Sequence, residues 1–269
     1  MAAGEARPGP VIGLAGVGQL GGAIGRALLR AGFVEPDRLW IANRSGSRGG
    51  FEAWQGLHWT TGLQDLAERC DLLLLALPPA ACAGLRVAAA DRLVVSVMAG
   101  VTCDRLRAIS GSGRVIRAMS SPAAELGLAY SPWYAAGAVD AADKTLVRRL
   151  FEACGATDEV PAEDQIDVFT AVTGPVPGFV ALFARAMRDY AVGRGVEPAV
   201  ADRAVRQLFL AGGRMLADSD LTPGEQVQAM IDYAGTTAAG MLQMQSAGLD
   251  RVVAEGLEAA RRKSLTIAG

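Results

Sequence analysis

The most chemically pointed residues in the chain are three glycines. Gly16-Val17-Gly18-Gln19-Leu20-Gly21 follows an apolar run, Val11–Ala15, and opens a helical pattern over Gln19–Ala31. In that strand–turn–helix setting, GxGxxG is a turn that holds a pyrophosphate through backbone N–H groups. Gly16 would make the tight turn, Gly18 would let the backbone approach the anion, and Gly21 would let helix and strand pack closely. The helix start adds unpaired N–H groups and a partial positive charge. The same turn without a ligand is the plain alternative.

A second group of residues selects the nucleotide. The apolar run Leu39–Ala42 ends at Asn43-Arg44-Ser45, about 22 residues past Gly21, where an Asp or Glu would bind a ribose 2′-hydroxyl. An acid would repel a 2′-phosphate, whereas Arg44 can make charge-assisted bonds to one. With Ser45 and Arg48 beside it, the loop favours NADPH over NADH. The alternative is a loop whose arginines are merely solvated.

Other chemistries lack their residues. The single histidine, His58, sits between Leu57 and Trp59 and is a poor centre for a catalytic triad. Cys70, Cys82, Cys103 and Cys154 form no CxxC and have no histidine partner, so no metal site is expected. They read as reduced, mostly buried thiols of a cytoplasmic protein. The net charge of −2, from 26 basic and 28 acidic residues, gives no nucleic-acid footprint. The first ten residues have no apolar core, and the longest apolar stretch stops at Pro78-Pro79. Neither a leader nor a membrane span is expected.

Elements must position these residues. With 51% apolar and 20% charged residues, the 269-residue chain is globular and long enough for two domains. Residues 1–9 read as a flexible tail. Strands are expected at Val11–Ala15, Leu39–Ala42, Cys70–Leu77, Arg92–Met98 and Val115–Met119, with a further one in Leu128–Tyr134. Helical patterns over Gln19–Ala31, Leu63–Arg69 and Cys103–Ile109 alternate with them, the signature of a parallel sheet covered on both faces. Asp140–Cys154 is amphipathic. After Pro161 only helical patterns remain. Phe179, Phe183, Met187 and Tyr190 share one face, as do Val200, Ala204, Leu208, Ala211 and Met215. Further helices are expected over Pro223–Met230, Thr236–Ser246 and Leu249–Leu265. The fold class is therefore α/β: a Rossmann-type parallel sheet over residues 1–160, then an all-helical domain over 161–269. That second domain is rich in alanine and glycine and would bury its stripes against a second copy.

The chain resembles the pyrroline-5-carboxylate reductase family over nearly its whole length. The resemblance rests on Ile12–Ile24, Ala76–Pro79, Ser96–Thr102, Arg114–Met119, Phe169–Phe179 and Ala234–Thr237, in family order and spacing. It implies reduction of a cyclic imine by NAD(P)H to give proline, a helical dimerisation domain, and an active site formed between subunits of a homodimer or larger homo-oligomer. It implies that Thr237 donates to the imine nitrogen and that the N–H groups of Gly235 and Thr236 hold the substrate carboxylate. Thr173 would take the place of a family serine. Ala76, Leu77, Pro78, Ala99 and Gly100 would join the cofactor site.

This chain departs from the family where the substrate would lie. Met119–Ala124 lacks the family's asparagine, and Thr173–Phe179 lacks a serine and a tyrosine hydroxyl. Ile231-Asp232-Tyr233-Ala234-Gly235 stands where the family has SSPGG. Asp232 and Tyr233 facing the substrate would relax specificity toward imines without the carboxylate; alternatively Asp232 points into solvent or caps the next helix. A β-hydroxyacid dehydrogenase needs a lysine early in the helical domain, and neither Lys144 nor Lys263 lies there. An NADPH-binding sensor with a degenerate pocket remains the non-enzyme reading.

Overall fold

The computed structural model describes residues 9–268. Apart from Gly9, the expected tail lies outside the described residues. In chain order the elements are β1 (Ile12–Ala15), α1 (Gln19–Arg30), β2 (Leu39–Ala42), β3 (His58–Thr60), α2 (Leu63–Arg69), β4 (Leu72–Leu75), β5 (Leu93–Ser96), α3 (Cys103–Ser110), β6 (Arg114–Ala118), β7 (Ala129–Tyr130), β8 (Trp133–Gly137), α4 (Ala141–Glu152) and β9 (Gly155–Ala156). Helices follow: α5 (Gln165–Val172), α6 (Gly178–Gly193), α7 (Pro198–Ala217), α8 (Pro223–Asp232), α9 (Thr236–Ser246) and α10 (Leu249–Thr266). The chain forms two compact units. The first runs through Gly174 and takes up the chain again from Ala259; the second is Pro175–Glu258. Sequence pattern changes at residue 160, whereas the compact units divide at Gly174, because α5 packs with the sheet and pairs its Asp167 with Arg117 of β6.

The sheet of the first unit has the order β3-β2-β1-β4-β5-β6-β8. Its first six strands are parallel and β8 is antiparallel to β6. Leu72–Leu75 are buried throughout, as a central parallel strand covered on both faces requires. The expected strand over Cys70–Leu77 shortens to those four residues, which are the ones in register with β1 and β5. The expected strand over Leu128–Tyr134 is broken at Pro132, which cannot donate to a ladder, and its ends become β7 and β8 in different sheets. The order 3-2-1-4-5-6 reverses direction between β1 and β4, so a ligand crevice is expected outside their carboxyl ends.

The second unit is helical. Two of its helix starts are held by side chains: Glu197 accepts from the amides of Ala199 and Val200, and Thr222 and Glu225 form a capping box. The stripes expected to be buried are open in the single chain. Phe183, Met187, Tyr190, Val200, Leu208 and Met215 are exposed, Met215 by 73%. No helix among the described residues is long and apolar enough to cross a membrane.

One ion-pair cluster ties α1 to the short 3₁₀ turn Pro122–Leu126. Arg26 Nε and Nη2 donate to the two oxygens of Glu125 at 2.9 and 2.5 Å; Arg30 Nη2 donates to Oε1 at 3.0 Å. The two guanidiniums, Arg26 foremost, hold the Glu125 carboxyl at about 2 against an ordinary 4.5. A depressed carboxylate stabilises the fold at pH above its unfolded value and loses that contribution as pH falls from about 4.5 toward 2. Glu125→Gln should therefore cost about 1 kcal/mol at pH 7. Urea midpoints at pH 7 and pH 3 should differ less in the variant than in the wild type.

Candidate functional site

The carboxyl ends of β1, β4 and β5 bring three loops side by side. Gly16 has φ +96°, a left-handed conformation open to glycine, and a side chain there would meet the Ala76 carbonyl oxygen at 2.7 Å. A side chain at Gly21 would collide with the Gly16 carbonyl and stand 2.8 Å from the Ala76 side chain. Gly18 is the N-cap of α1, carries no side-chain cap, and faces open space. The amides of the first turn, with Gln19 and Leu20, are thus left for an anion. Ala76–Pro78 follows β4 beside this turn, and Ala99–Gly100 follows β5. This cradle fits a dinucleotide pyrophosphate.

At the end of β2 the side chain of Asn43 shapes the loop. Its Nδ2 donates to the Ser47 carbonyl at 2.7 Å, and its Oδ1 accepts from the Ser45 hydroxyl at 3.1 Å. Arg48 lies over the Trp59 ring, 5.7 Å from its centroid. Arg44 is exposed and has no protein partner among the described residues. A fixed loop with one unengaged guanidinium suits a phosphate.

In the second unit, a three-residue joint, Tyr233–Gly235, separates α8 from α9. Gly235 is the N-cap of α9 without a side-chain bond, so the amides of Thr236 and Thr237 are bare. Both threonines are exposed. Ala234 takes φ +56°, an uncommon conformation for a residue with a Cβ. Asp232 ends α8, and its Oδ1 accepts from Gln228 Nε2 at 2.8 Å. It does not cap α9. Tyr233 is 84% exposed. Thr173 belongs to the first unit, where its hydroxyl donates to the Phe169 carbonyl at 3.0 Å.

Other titratable groups are structural. His58 opens β3, at the amino edge of the sheet, away from the loops above. Its ring stacks on Trp40 at 4.4 Å, with Arg69 over the other partner at 4.6 Å. All four cysteines are free and buried. Burial pushes the thiols of Cys70, Cys103 and Cys154 up to about 12, which makes them poor nucleophiles.

Sequence reasoning missed a buried polar cluster below the β5–α3 loop. Arg117, 2% exposed, pairs with Asp167 at 2.6 Å, and Ser264 Oγ donates to the same carboxylate at 3.1 Å. The one local signal was an arginine inside an apolar strand. Its partners Glu163 and Asp167 lie 46 and 50 residues away in sequence.

Two family models match the chain: "Pyrroline-5-carboxylate reductase dimerisation" over residues 163–267 and "NADP oxidoreductase coenzyme F420-dependent" over residues 11–100. Pyrroline-5-carboxylate reductase of Pseudomonas aeruginosa is 32% identical over 204 residues, covering 74% of this chain and 75% of that protein. The Escherichia coli enzyme of that name is 28% identical over 264 residues, covering 94% and 96%. Among solved structures, 1-pyrroline-5-carboxylate reductase from Streptococcus pyogenes aligns with a TM-score of 0.80 at 26% identity, covering 96% and 98%.

The unengaged Arg44 yields a direct test. Losing one charge-assisted phosphate contact costs about 1.5–3 kcal/mol, or roughly ten- to a hundredfold in affinity. Arg44→Ala should weaken NADPH binding by that factor and leave NADH binding nearly unchanged, as read by titrating the nucleotide fluorescence.

Proposed function

The chain belongs to the pyrroline-5-carboxylate reductase family, and on that premise we propose that it is an NADPH-dependent oxidoreductase reducing the C=N bond of a cyclic imine to proline or a related cyclic amine. The observation that carries the reading is a chain with two bare helix starts. One follows a glycine turn shaped for a pyrophosphate, and the other presents Thr236 and Thr237 within the segment matched by the dimerisation family.

Gly16–Gly21, Ala76–Pro78 and Ala99–Gly100 would hold the cofactor, with Asn43, Arg44, Ser45 and Arg48 around its 2′-phosphate. When bound, NADPH supplies the hydride. The chain's own part is modest, because a protonated imine is already electrophilic. The Thr237 hydroxyl oxygen accepts the iminium N–H and orients it, and as hydride reaches carbon the hydroxyl can donate to the lone pair of the amine that forms. The amides of Gly235 and Thr236, at the positive end of α9, receive a substrate carboxylate. Thr173 keeps an oxygen able to accept a hydrogen bond, its proton being engaged with Phe169.

The functional form is a homodimer at least. The exposed apolar faces of α6 and α7 and the dimerisation match support this. The free, buried thiols fit a reducing compartment, and the cytoplasm is the expected location.

A second reading concerns the substrate. Asp232 is not spent on capping α9, and it leaves an exposed carboxylate beside the joint that should receive an anion. A negative charge there disfavours a substrate carboxylate and favours a cationic iminium. The chain therefore accepts cyclic imines lacking the carboxylate comparatively well.

NADPH oxidation with pyrroline-5-carboxylate and with unsubstituted pyrroline tests both readings. Nucleotide binding without turnover on any cyclic imine would leave only a degenerate binding protein. Thr237→Ala should lower kcat/KM for the imine by about tenfold or more while sparing NADPH affinity, and Thr237→Ser should keep much of the activity. Asp232→Ser should raise the kcat/KM ratio of pyrroline-5-carboxylate over pyrroline by about tenfold. A wild-type ratio far above one, unmoved by that substitution, would mean that Asp232 does not face the substrate.

A further inference from the structure

We propose that buried Arg117, Asp167 and Ser264, with half-buried Glu163, form a clamp whose task is to position the β5–α3 loop, Met98–Thr102, at the nicotinamide half of the cofactor. The inference rests on the cofactor reading above. All four are positioning residues; none is placed to touch substrate.

The clamp grips the loop at two points. At the loop's end, Glu163 Oε1 accepts the amide of Cys103, the first residue of α3, at 2.7 Å. In its middle, Gly100 has φ +73° and lies so close to the Ser264 carbonyl oxygen that a Cβ would collide with it, while the Ile267 side chain would stand 3.2 Å away. Both grips converge on one guanidinium. Arg117 Nη1 donates to Glu163 at 3.4 Å and to Asp167 Oδ2 at 3.2 Å, and Nη2 donates to Asp167 Oδ1 at 2.6 Å. Asp167 Oδ1 also stands 3.1 Å from Ser264 Oγ, whose one proton is shared with the Arg261 carbonyl at 2.8 Å. The last turns of α10 are thereby pinned where they back Gly100.

Sheet order says which part of a nucleotide this loop meets. The 2′-phosphate loop follows β2, the pyrophosphate turn follows β1, and β4 and then β5 continue in the same direction. The β5–α3 loop is thus on the opposite side of the pyrophosphate turn from the 2′-phosphate loop. A buried ion pair is a costly way to gain stability, since well-packed apolar residues usually do as well. Arg117 even keeps its Nε without a partner. What such a cluster adds is hydrogen bonds of set direction between segments far apart in sequence.

The test separates the two halves of the nucleotide in the full-length protein. Dissociation constants are measured for NADPH and for adenosine 2′,5′-bisphosphate, which has the 2′-phosphate but no nicotinamide. Ser264→Ala should weaken NADPH about five- to tenfold and leave the bisphosphate within about twofold. Gly100→Ala, which pushes the loop off Ser264, should show the same split. Ser264→Thr, which keeps the hydroxyl, should restore part of the NADPH affinity. Equal weakening of both nucleotides would reduce the cluster to a general structural support, and no change in either would remove Ser264 from the clamp. Both outcomes overturn the proposal. A wild type that binds the bisphosphate but not NADPH would overturn the cofactor reading, and the clamp with it.

Discussion

The cofactor end depends on how closely α1 approaches the carboxyl ends of β1 and β4. The glycine turn is backbone against backbone: the Cα of Gly21 lies against the Gly16 carbonyl, and Gly16 against that of Ala76. That approach brings the start of α1 to the point where strand order reverses, with its amides bare. It also dictates the helix's inward face, where Gly21, Gly22, Ala23 and Gly25 are buried and the buried larger residues are Ile24, Leu28 and Leu29. The close approach costs helix propensity, since glycine is a poor helix former. Burial of Ile24, Ala27, Leu28 and Leu29 against the sheet offsets it.

What the sequence made legible was whatever is encoded locally. The glycine spacing, the departure at Asn43-Arg44 and the alternation of apolar runs with helical patterns each lie within a short window, and the parallel sheet follows from them. Short elements that owe their form to distant partners were not legible. β3 is three residues held by pairing with β2 and by the His58–Trp40 stack, so no period can reveal it. α5 was absorbed into an unassigned stretch because its eight residues carry a weak apolar stripe. Its placement comes from Asp167 meeting Arg117, 50 residues back along the chain. Antiparallel β8 is likewise a tertiary choice. At the candidate site the residue types were legible while their engagement was not. Asn43 is used to shape its loop, Thr173 donates to its own helix, and Asp232 pairs with Gln228.

The second unit shows a different economy of residues. Its helices have regular apolar faces, yet Val180, Phe183, Met187, Leu208 and Met215 remain exposed in the single chain. A lone domain of this size would bury such stripes within itself. Here the small residues along α7, including Gly212 and Gly213, present a surface a close-packing neighbour can meet, in keeping with the dimerisation family that the region matches. Solvation of that much apolar surface is unfavourable, so association contributes to the stability of this part as well as completing it.

The first unit is not continuous in sequence. It runs through Gly174, leaves for the length of the second unit, and resumes at Ala259. The Asp167–Ser264 hydrogen bond joins residues 97 apart, and Gly100 finds its backing only in the turn that contains Ser264. A chain emerging from the ribosome can pair β1 through β6 early, since these contacts are sequential or nearly so. The support beneath the β5–α3 loop must wait until residue 264 and those around it have been made. The helical unit is therefore synthesised in full before the first unit can close its last contacts, and fixing of the β5–α3 loop is a late event in the life of the polypeptide.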